Sequence, residues 1–154
     1  MSQPIYILNG PNLNRLGTRE PEIYGTTTLE EIEAACRAAA PNRQIAFRQT
    51  NSEAQLIDWV HETVDNADGI VINPAAFSFT SLALLDALKM FSGPIIEVHI
   101  SNIHRREPLY HRSLVSLAAT GVIAGLGAGG YVAAVEAVAR MLTCRSRAGL
   151  QSMR

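Results

Sequence analysis

The chain has 154 residues, of which 47% are hydrophobic, and its formal net charge is -1. This length is typical of one domain with a full hydrophobic core. Scattered acidic and basic residues argue against a nucleic-acid or membrane surface, so a small-molecule partner is expected. Two cysteines, Cys36 and Cys144, are too few for a disulfide framework and fit a reducing compartment. Residues 1–4 do not open a signal segment, so the expected location is the cytoplasm.

Five short apolar runs predict β-strands. Uninterrupted apolar runs are typical of strands that are buried on both faces, as in a parallel sheet. The predicted strands, in chain order, are residues 5–8, 44–48, 69–72, 94–98 and 122–124. The second of these is less apolar than the others.

Amphipathic segments between these runs predict four helices. Two apolar stripes with helical spacing are Leu29, Ile32, Cys36 and Ala39, and Ala54, Ile57, Val60 and Val64. Thr27 with Glu30, and Ser52 with Gln55, have the spacing of a capping box. Further helices are predicted at residues 81–91 and 131–142. The predicted fold is therefore α/β, a doubly wound five-stranded parallel sheet in three layers, with one domain over residues 1–143 and a frayed tail over 144–154.

One uncharged stretch, residues 114–135, is long enough to span a bilayer. Glycines interrupt it and lower its hydrophobicity, so we predict a buried strand, a tight turn and a packed helix there. The segment 125–130 also matches the G-x-G-x-x-G pattern of dinucleotide-binding turns. No acidic residue follows at the ribose-binding distance, so we interpret it as a closely packed turn.

Polar loops follow three of the predicted strands, and they begin at Asn9, Asn73 and His99. In an open parallel sheet, ligands bind beyond the carboxyl ends of the strands, where the strand order reverses. The sequence therefore predicts that the polar side chains of these loops meet at one edge of the sheet and form the functional site.

The first loop contains a tyrosine, Tyr24, five residues after Arg19. An ordinary phenol has a pKa of about 10, so only roughly one part in a thousand is ionised at neutral pH. A guanidinium about 4 Å away would favour the phenolate by roughly 4 kcal/mol at an effective dielectric near 20, which makes a base possible. Arg19 could supply this charge and Arg15 could assist, whereas Pro21 predicts a loop that folds over the site as a lid. The alternative interpretation of Tyr24 is a packed loop aromatic.

The histidine at the end of the fourth strand, His99, suits a general acid that protonates a leaving hydroxyl. Glu97, two residues earlier on the same face, could hold the imidazole and favour its charged form. A purely structural strand-end histidine is the alternative. The single lysine, Lys89, disfavours a Schiff base, and no metal-ligand spacing is present. The other histidines, expected at the surface or in packing, are His61, His104 and His111.

A series of motifs in register across nearly the whole chain resembles the type II 3-dehydroquinate dehydratases. These motifs are residues 8–13 (LNGPNL), 19–25 (REPEIYG), 49–53 (QTNSE), 72–74 (INP), 97–104 (EVHISNIH) and 121–123 (GVI). The resemblance implies a flavodoxin-like fold, no cofactor, and a homo-dodecamer built as a tetramer of trimers. It also implies anti elimination of water from 3-dehydroquinate, in the shikimate pathway of aromatic amino-acid biosynthesis or in quinate catabolism.

Carried over by position, the resemblance implies a role for each residue of the acid–base site. Tyr24 would take the C2 proton, and Arg19 would favour the phenolate and steady the developing charge. Asn12 would hold a water on the enolate oxygen. His99 would protonate the departing hydroxyl, oriented by Glu97. The implied substrate contacts are Asn73, Ile100, Ser101, Arg106 and Asp86, the last reaching the site of a neighbouring subunit.

Three positions depart from the family's pattern. Phe79 stands where a histidine usually contacts ring hydroxyls, Tyr110 where a substrate-binding arginine is usual, and Leu85 where an arginine commonly precedes Asp86. Each lost buried polar contact typically costs about 1 to 3 kcal/mol, so substrate binding would weaken roughly a hundredfold or more unless Tyr110 compensates. Three hypotheses follow: an active but atypical dehydratase, a paralogue acting on a related cyclic hydroxy-ketone, and a catalytically silent ligand-binding or assembly protein.

Overall fold

A computed structural model describes residues 2–152 of the chain, and the side chains of residues 2–149. Its centre is a five-stranded sheet in which every paired neighbour is parallel, in the order β2-β1-β3-β4-β5. The strands are β1 Ile5–Asn9, β2 Ile45–Gln49, β3 Gly69–Asn73, β4 Ile95–His99 and β5 Gly121–Ala124. All five predicted strands are confirmed, and the less apolar strand, β2, lies at one edge of the sheet.

Five α-helices accompany these strands: α1 Pro21–Tyr24, α2 Leu29–Ala39, α3 Glu53–Asn66, α4 Leu82–Leu88 and α5 Gly129–Ser152. Helices α2 and α5 cover one face of the sheet, and α3 and α4 cover the other. Successive residues of a strand point to opposite faces. Accordingly, Ile5 and Ile7 of β1 pack toward α2 and α5, whereas Tyr6 and Leu8 pack toward α3 and α4. The doubly wound, three-layered fold is confirmed.

The helix starts agree with the predicted caps at one position and differ at another. The Ser52 hydroxyl accepts from the Gln55 backbone N–H at 3.2 Å, as the capping-box spacing predicts. The cap of α2 is Thr28, whose hydroxyl accepts from Glu31 N–H, so the prediction of Thr27 was wrong by one residue. Neighbouring threonines are equivalent as caps, and the phase of α2 is set by the burial of its apolar stripe.

Two further segments differ from the predictions. Pro21, predicted to prevent a helix, is the first residue of the one-turn helix α1, where its missing N–H leaves no hydrogen bond unmade. The final helix continues to Ser152, ten residues beyond the predicted end. The added part, residues 143–152, has no proline and contains Arg145, Arg147 and Ala148, which favour helix. Fraying of residues 144–154 and the domain boundary at residue 143 stay predictions.

The uncharged stretch of residues 114–135 has the predicted order of strand, turn and helix, but the prediction of a buried strand was wrong, because β5 is an edge strand and its Val122 is exposed. It contains strand β5, a glycine turn and the start of α5. Within the part of the chain that the structure describes, no helix is both long enough and apolar enough to cross a membrane.

Gly10 directly follows β1 and lies at a close contact between two loops at the edge of the sheet. Its N–H donates to the Asn73 carbonyl at 2.8 Å, and a Cβ built on it would lie 2.4 Å from the carbonyl oxygen of Pro74. We expect Gly10→Ala to lower the free energy of unfolding by about 1 to 3 kcal/mol, because the two backbones must separate. Urea unfolding measures this change.

The matched control is Gly129→Ala, because a Cβ at Gly129 meets nothing within 4 Å. We expect that control to stay within about 0.5 kcal/mol of the unaltered protein. Equal stabilities for the two variants would contradict the close contact at Gly10.

Candidate active site

The loops that follow β1, β3 and β4 enclose a cavity of about 100 Å³ at the carboxyl edge of the sheet. Strands β1 and β3 are neighbours although α2, β2 and α3 separate them in sequence, so the strand order reverses here. Ten of the predicted site residues line this cavity: Asn12, Arg19, Tyr24, Asn73, Phe79, His99, Ile100, Ser101, Arg106 and Tyr110. The structure thus brings residues from three loops together, as the sheet topology predicts.

His99 and Glu97 form a buried pair at the end of β4. Alternation along the strand points both side chains to the same face, and His99 Nε2 hydrogen-bonds to Glu97 Oε2. The Ser116 hydroxyl donates to Glu97 Oε1 at 2.7 Å. Burial raises the pKa of Glu97, but the hydrogen bonds from His99 and Ser116 outweigh it, so the pKa lies below its ordinary value.

This pairing fixes how the imidazole faces the cavity. Because Nε2 is engaged by a carboxylate, Nδ1 is the ring nitrogen that remains for a ligand. Glu97 does not line the cavity. Its position therefore suits the orienting role that the sequence suggested, behind the histidine and out of reach of a ligand.

Tyr24, the last residue of α1, lies between two guanidinium groups. Arg106 Nη1 donates to the Tyr24 hydroxyl at 3.1 Å. The Cζ atom of Arg19 lies 4.7 Å from the centroid of the Tyr24 ring, and its Nε lies 3.7 Å from Glu20 Oε2. Sequence reasoning assigned the cation to Arg19 with help from Arg15, which is exposed outside the cavity lining. The phenolic oxygen contacts Arg106 instead, and Arg19 covers the ring face.

The loop after β1 is held by the polar motif that follows β2. Asn12 has a left-handed backbone with φ 69°, and its N–H donates to Asn51 Oδ1 at 2.9 Å. Gln49 Nε2 donates to the Gly10 carbonyl at 3.2 Å and to Asn51 Oδ1 at 3.1 Å. The contact with Asn51 uses the backbone N–H of Asn12 and not its side chain. The Asn12 side-chain amide, in the wall of the cavity, can therefore bind a ligand or a water.

Asn73 lines the cavity, but its amide group is used within the protein. Its Nδ2 donates to the Tyr131 hydroxyl at 2.8 Å, and its Oδ1 accepts from the Ala75 N–H at 3.1 Å. The Tyr131 hydroxyl in turn donates to Asn9 Oδ1 at 2.8 Å. Burial raises the pKa of Tyr131, so the hydroxyl stays protonated and can donate. This bridge ties the ends of β1 and β3 to α5.

The sequence predicts Tyr131 only as the first residue of a helix, and its place in this bridge was not predicted. The signal available in the sequence was a tyrosine directly after the glycine turn, and the structure shows that this tyrosine is fully buried. We expect Tyr131→Phe to lower the free energy of unfolding by about 1 to 3 kcal/mol, because Asn9 and Asn73 both lose a buried partner. Thermal or urea unfolding tests this, and an unchanged stability would contradict the bridge.

An aromatic wall, formed by Phe79 and Tyr110, closes one side of the cavity. The two rings pack edge to face, with centroids 5.3 Å apart and an interplanar angle of 81°. The Phe79 centroid is also 6.1 Å from that of His99. Tyr110 supports the Arg106 guanidinium, whose Cζ lies 3.9 Å from the ring centroid. The wall occupies two positions at which the family resemblance implies polar contacts to a substrate.

The remaining predicted residues take simpler positions. Asp86 is exposed on α4 and does not line the cavity of its own chain. The backbone of Ile100 accepts from the Gly127 N–H at 3.0 Å, which packs the glycine turn against the loop after β4. This contact agrees with the interpretation of that turn as a packing feature. The three other histidines are exposed, and no metal-ligand cluster is present among the described residues.

The fold and the position of the site are those of a flavodoxin-like protein that binds a small molecule at the carboxyl edge of its sheet. The strand order 2-1-3-4-5 is that of flavodoxin-like sheets, which bind ligands at the reversal point. A carboxylate-paired histidine and a cation-flanked tyrosine lie at that point, and both are side chains that can transfer protons.

Comparison with known proteins identifies the family. Residues 3–139 match the model of the family described as dehydroquinase class II, and the chain belongs to that family. It is 58% identical to a 3-dehydroquinate dehydratase of Streptomyces coelicolor over 141 residues, which cover 90% of each chain. It is 55% identical to that of Bartonella bacilliformis over 144 residues, 92% of this chain and 91% of the relative.

Solved structures agree with this assignment. The type II dehydroquinase of Propionibacterium acnes superposes with a TM-score of 0.87 at 47% identity, covering 91% of this chain and 98% of that one. A 3-dehydroquinate dehydratase-like protein of Bifidobacterium longum is more distant, with a TM-score of 0.68 at 31% identity, covering 93% and 99%.

Proposed function

We propose that this protein is a hydro-lyase that converts 3-dehydroquinate to 3-dehydroshikimate by anti elimination of water through an enolate, without a cofactor. One observation carries the proposal: two pairs of side chains meet at one cavity. The Tyr24 hydroxyl accepts a hydrogen bond from the Arg106 guanidinium, and His99 is hydrogen-bonded to the buried carboxylate of Glu97. We further propose that it acts in the cytoplasm, in the shikimate pathway or in quinate catabolism.

In the first step, the Tyr24 phenolate takes the proton from C2 of the substrate. Arg106 at the phenolic oxygen and Arg19 over the ring place two positive charges beside this base. Negative charge then moves to the carbonyl oxygen, where a water held by Asn12 stabilises the enolate. In the second step, His99 gives a proton to the departing hydroxyl, and Glu97 stabilises the imidazolium before that transfer.

Substrate contacts follow from the rest of the cavity. The Ile100–Ser101 segment bounds it with backbone and a hydroxyl, which suit the substrate carboxylate. Asn73 shapes the site chiefly through the Ala75 turn, since its amide is already hydrogen-bonded.

We also propose that the working form is a homo-dodecamer, a tetramer of trimers, in which Asp86 reaches a neighbouring site. The exposure of Asp86 on α4 supports this role. Activity should then fall with dilution, in step with dissociation measured by sedimentation. A monomer that kept full activity would contradict this part of the proposal.

A second candidate function has one specific observation in its favour. Phe79, in the aromatic wall, presents to the cavity a ring that has no hydrogen-bonding group. Such a wall suits a related cyclic hydroxy-ketone with fewer or differently placed hydroxyls, because an unpaired hydroxyl against it would lose its solvation.

A continuous absorbance assay for the conjugated enone product tests both candidates. It is run with 3-dehydroquinate on the unaltered protein, on Phe79→His and on Tyr24→Phe. Turnover by the unaltered protein supports the dehydratase, and the Phe79→His variant then measures what the aromatic wall does to KM. Turnover by Phe79→His alone would favour the second candidate. If neither protein turned over 3-dehydroquinate, the dehydratase proposal would fail, and a panel of related cyclic hydroxy-ketones would separate the second candidate from a catalytically silent binding protein. Equal turnover by the unaltered protein and by Tyr24→Phe would mean that the activity comes from a contaminant.

A further inference from the structure

Arg106 has few partners that could fix its guanidinium. In the part of the chain that the structure describes, no carboxylate lies within salt-bridge distance of it, whereas Arg19 has Glu20 beside it. The Arg106 side chain contacts the Tyr24 hydroxyl at 3.1 Å and the face of Tyr110. An arginine stem has many rotamers, so these two contacts decide where the charge lies.

The contact with Tyr110 is close. The Cζ atom of Arg106 lies 3.9 Å from the Tyr110 centroid, compared with 5.8 Å from the Tyr24 centroid. A guanidinium at this distance is attracted by the ring quadrupole, and partial burial in the cavity strengthens the attraction.

The tyrosine itself is held from two sides. Phe79 packs edge to face on the Tyr110 ring, which is a favourable arrangement of aromatic pairs. The backbone supplies the other restraint, since Tyr110 N–H donates to the Glu107 carbonyl at 2.9 Å within a short 3₁₀ turn. The ring that supports Arg106 is therefore in a defined place before any ligand binds.

We propose that Tyr110 is a positioning residue that holds the Arg106 guanidinium against the Tyr24 hydroxyl, with Phe79 bracing it. The inference rests on the proposed function, because it gives Tyr110 a part in activating the Tyr24 base. The same inference gives the pair of Phe79 and Tyr110 an effect on kcat, separate from any effect on the binding of substrate hydroxyls. Tyr110 acts through Arg106, so its aromatic ring matters and its hydroxyl does not.

Kinetics of four variants test this. Tyr110→Phe keeps the ring and should stay within about twofold of the unaltered kcat. Tyr110→Leu removes the ring and should lower kcat about tenfold, the equivalent of about 1.4 kcal/mol, with a smaller change in KM. Arg106→Gln should lower kcat at least as much, and adding Tyr110→Leu to Arg106→Gln should cause no further loss, since the second residue acts only through the first.

Three kinetic results would overturn the inference. These are equal kcat values for Tyr110→Phe and Tyr110→Leu, a loss in Tyr110→Leu confined to KM, and additive losses in the double variant. If Tyr110→Leu did not fold, as judged by circular dichroism, Tyr110→Met would take its place, because its flexible side chain fills similar volume without a ring.

A structural readout separates this inference from the proposed function. In crystals, Tyr110→Phe should keep the Arg106 Nη1 to Tyr24 hydroxyl contact, at 3.1 Å in the unaltered protein, and Tyr110→Leu should lose it. Retention of that contact in Tyr110→Leu would overturn the inference. Absence of turnover in the unaltered protein would instead overturn the proposed function, and the two crystal structures would still decide the role of Tyr110.

Discussion

Tyr24→Phe is expected to lower kcat for 3-dehydroquinate by about a hundredfold to ten-thousandfold, the usual contribution of a positioned general base. The substitution removes the hydroxyl that accepts from Arg106 and leaves the ring that packs under Arg19. Because the ring and its packing remain, the melting temperature should change little. Steady-state kinetics with the enone assay, together with a thermal unfolding curve, measure both effects.

A matched control is available in Tyr6→Phe. The Tyr6 hydroxyl donates to Glu62 Oε1 at 2.8 Å, and Tyr6 does not line the cavity. We expect this variant to keep its kcat and to lose at most a modest amount of stability. A Tyr24→Phe protein with more than about a tenth of the original kcat would give the base role to another group.

Glu97→Gln is expected to reduce both activity and stability. An amide keeps the shape of the side chain but cannot stabilise the imidazolium, so kcat should fall about a hundredfold or more. The free energy of unfolding should fall by about 1 to 3 kcal/mol, because a buried charge-assisted bond to His99 is replaced by a neutral one. Urea unfolding and steady-state kinetics at neutral pH measure the two losses.

The difference in free energy of unfolding between the unaltered protein and Glu97→Gln should become smaller as the pH falls. The pKa of Glu97 in the folded protein lies below its ordinary value of 4.5. Its carboxylate therefore contributes stability that is fully present above the ordinary carboxyl range and is lost as the pH falls through the lowered pKa. The gap between the unaltered protein and Glu97→Gln should shrink as the pH falls below 4.5. A gap that widened with acid would contradict the lowered pKa.

Ser116→Ala separates the two hydrogen bonds of Glu97. It removes the donor at 2.7 Å to Oε1 and leaves the pair with His99 intact. We expect a smaller loss of kcat than in Glu97→Gln, because the imidazole keeps its carboxylate. Equal losses in the two variants would mean that the orientation of Glu97 matters more than its charge.

The sequence alone determined most of the fold and the place of the site. Apolar runs predicted all five strands, most clearly β1, β3 and β4, because strands buried on both faces leave an unbroken hydrophobic pattern, whereas the edge strands β2 and β5 are partly exposed. The alternation of strands and helices then set the direction of every strand, and so the edge at which the polar loops meet. His99 and Glu97 could be paired from sequence because they lie two residues apart on one strand.

Only the tertiary structure decided which groups touch inside the site. Arg106 and Tyr24 are 82 residues apart, and Tyr131 and Asn9 are 122 apart, so no local pattern relates them. The partner of the Tyr24 hydroxyl, the internal use of the Asn73 amide and the stacking of Tyr110 under Arg106 all depend on such long-range contacts. Local periodicity reports which face of an element is buried, whereas side-chain contacts between loops depend on how three strands place those loops at one edge.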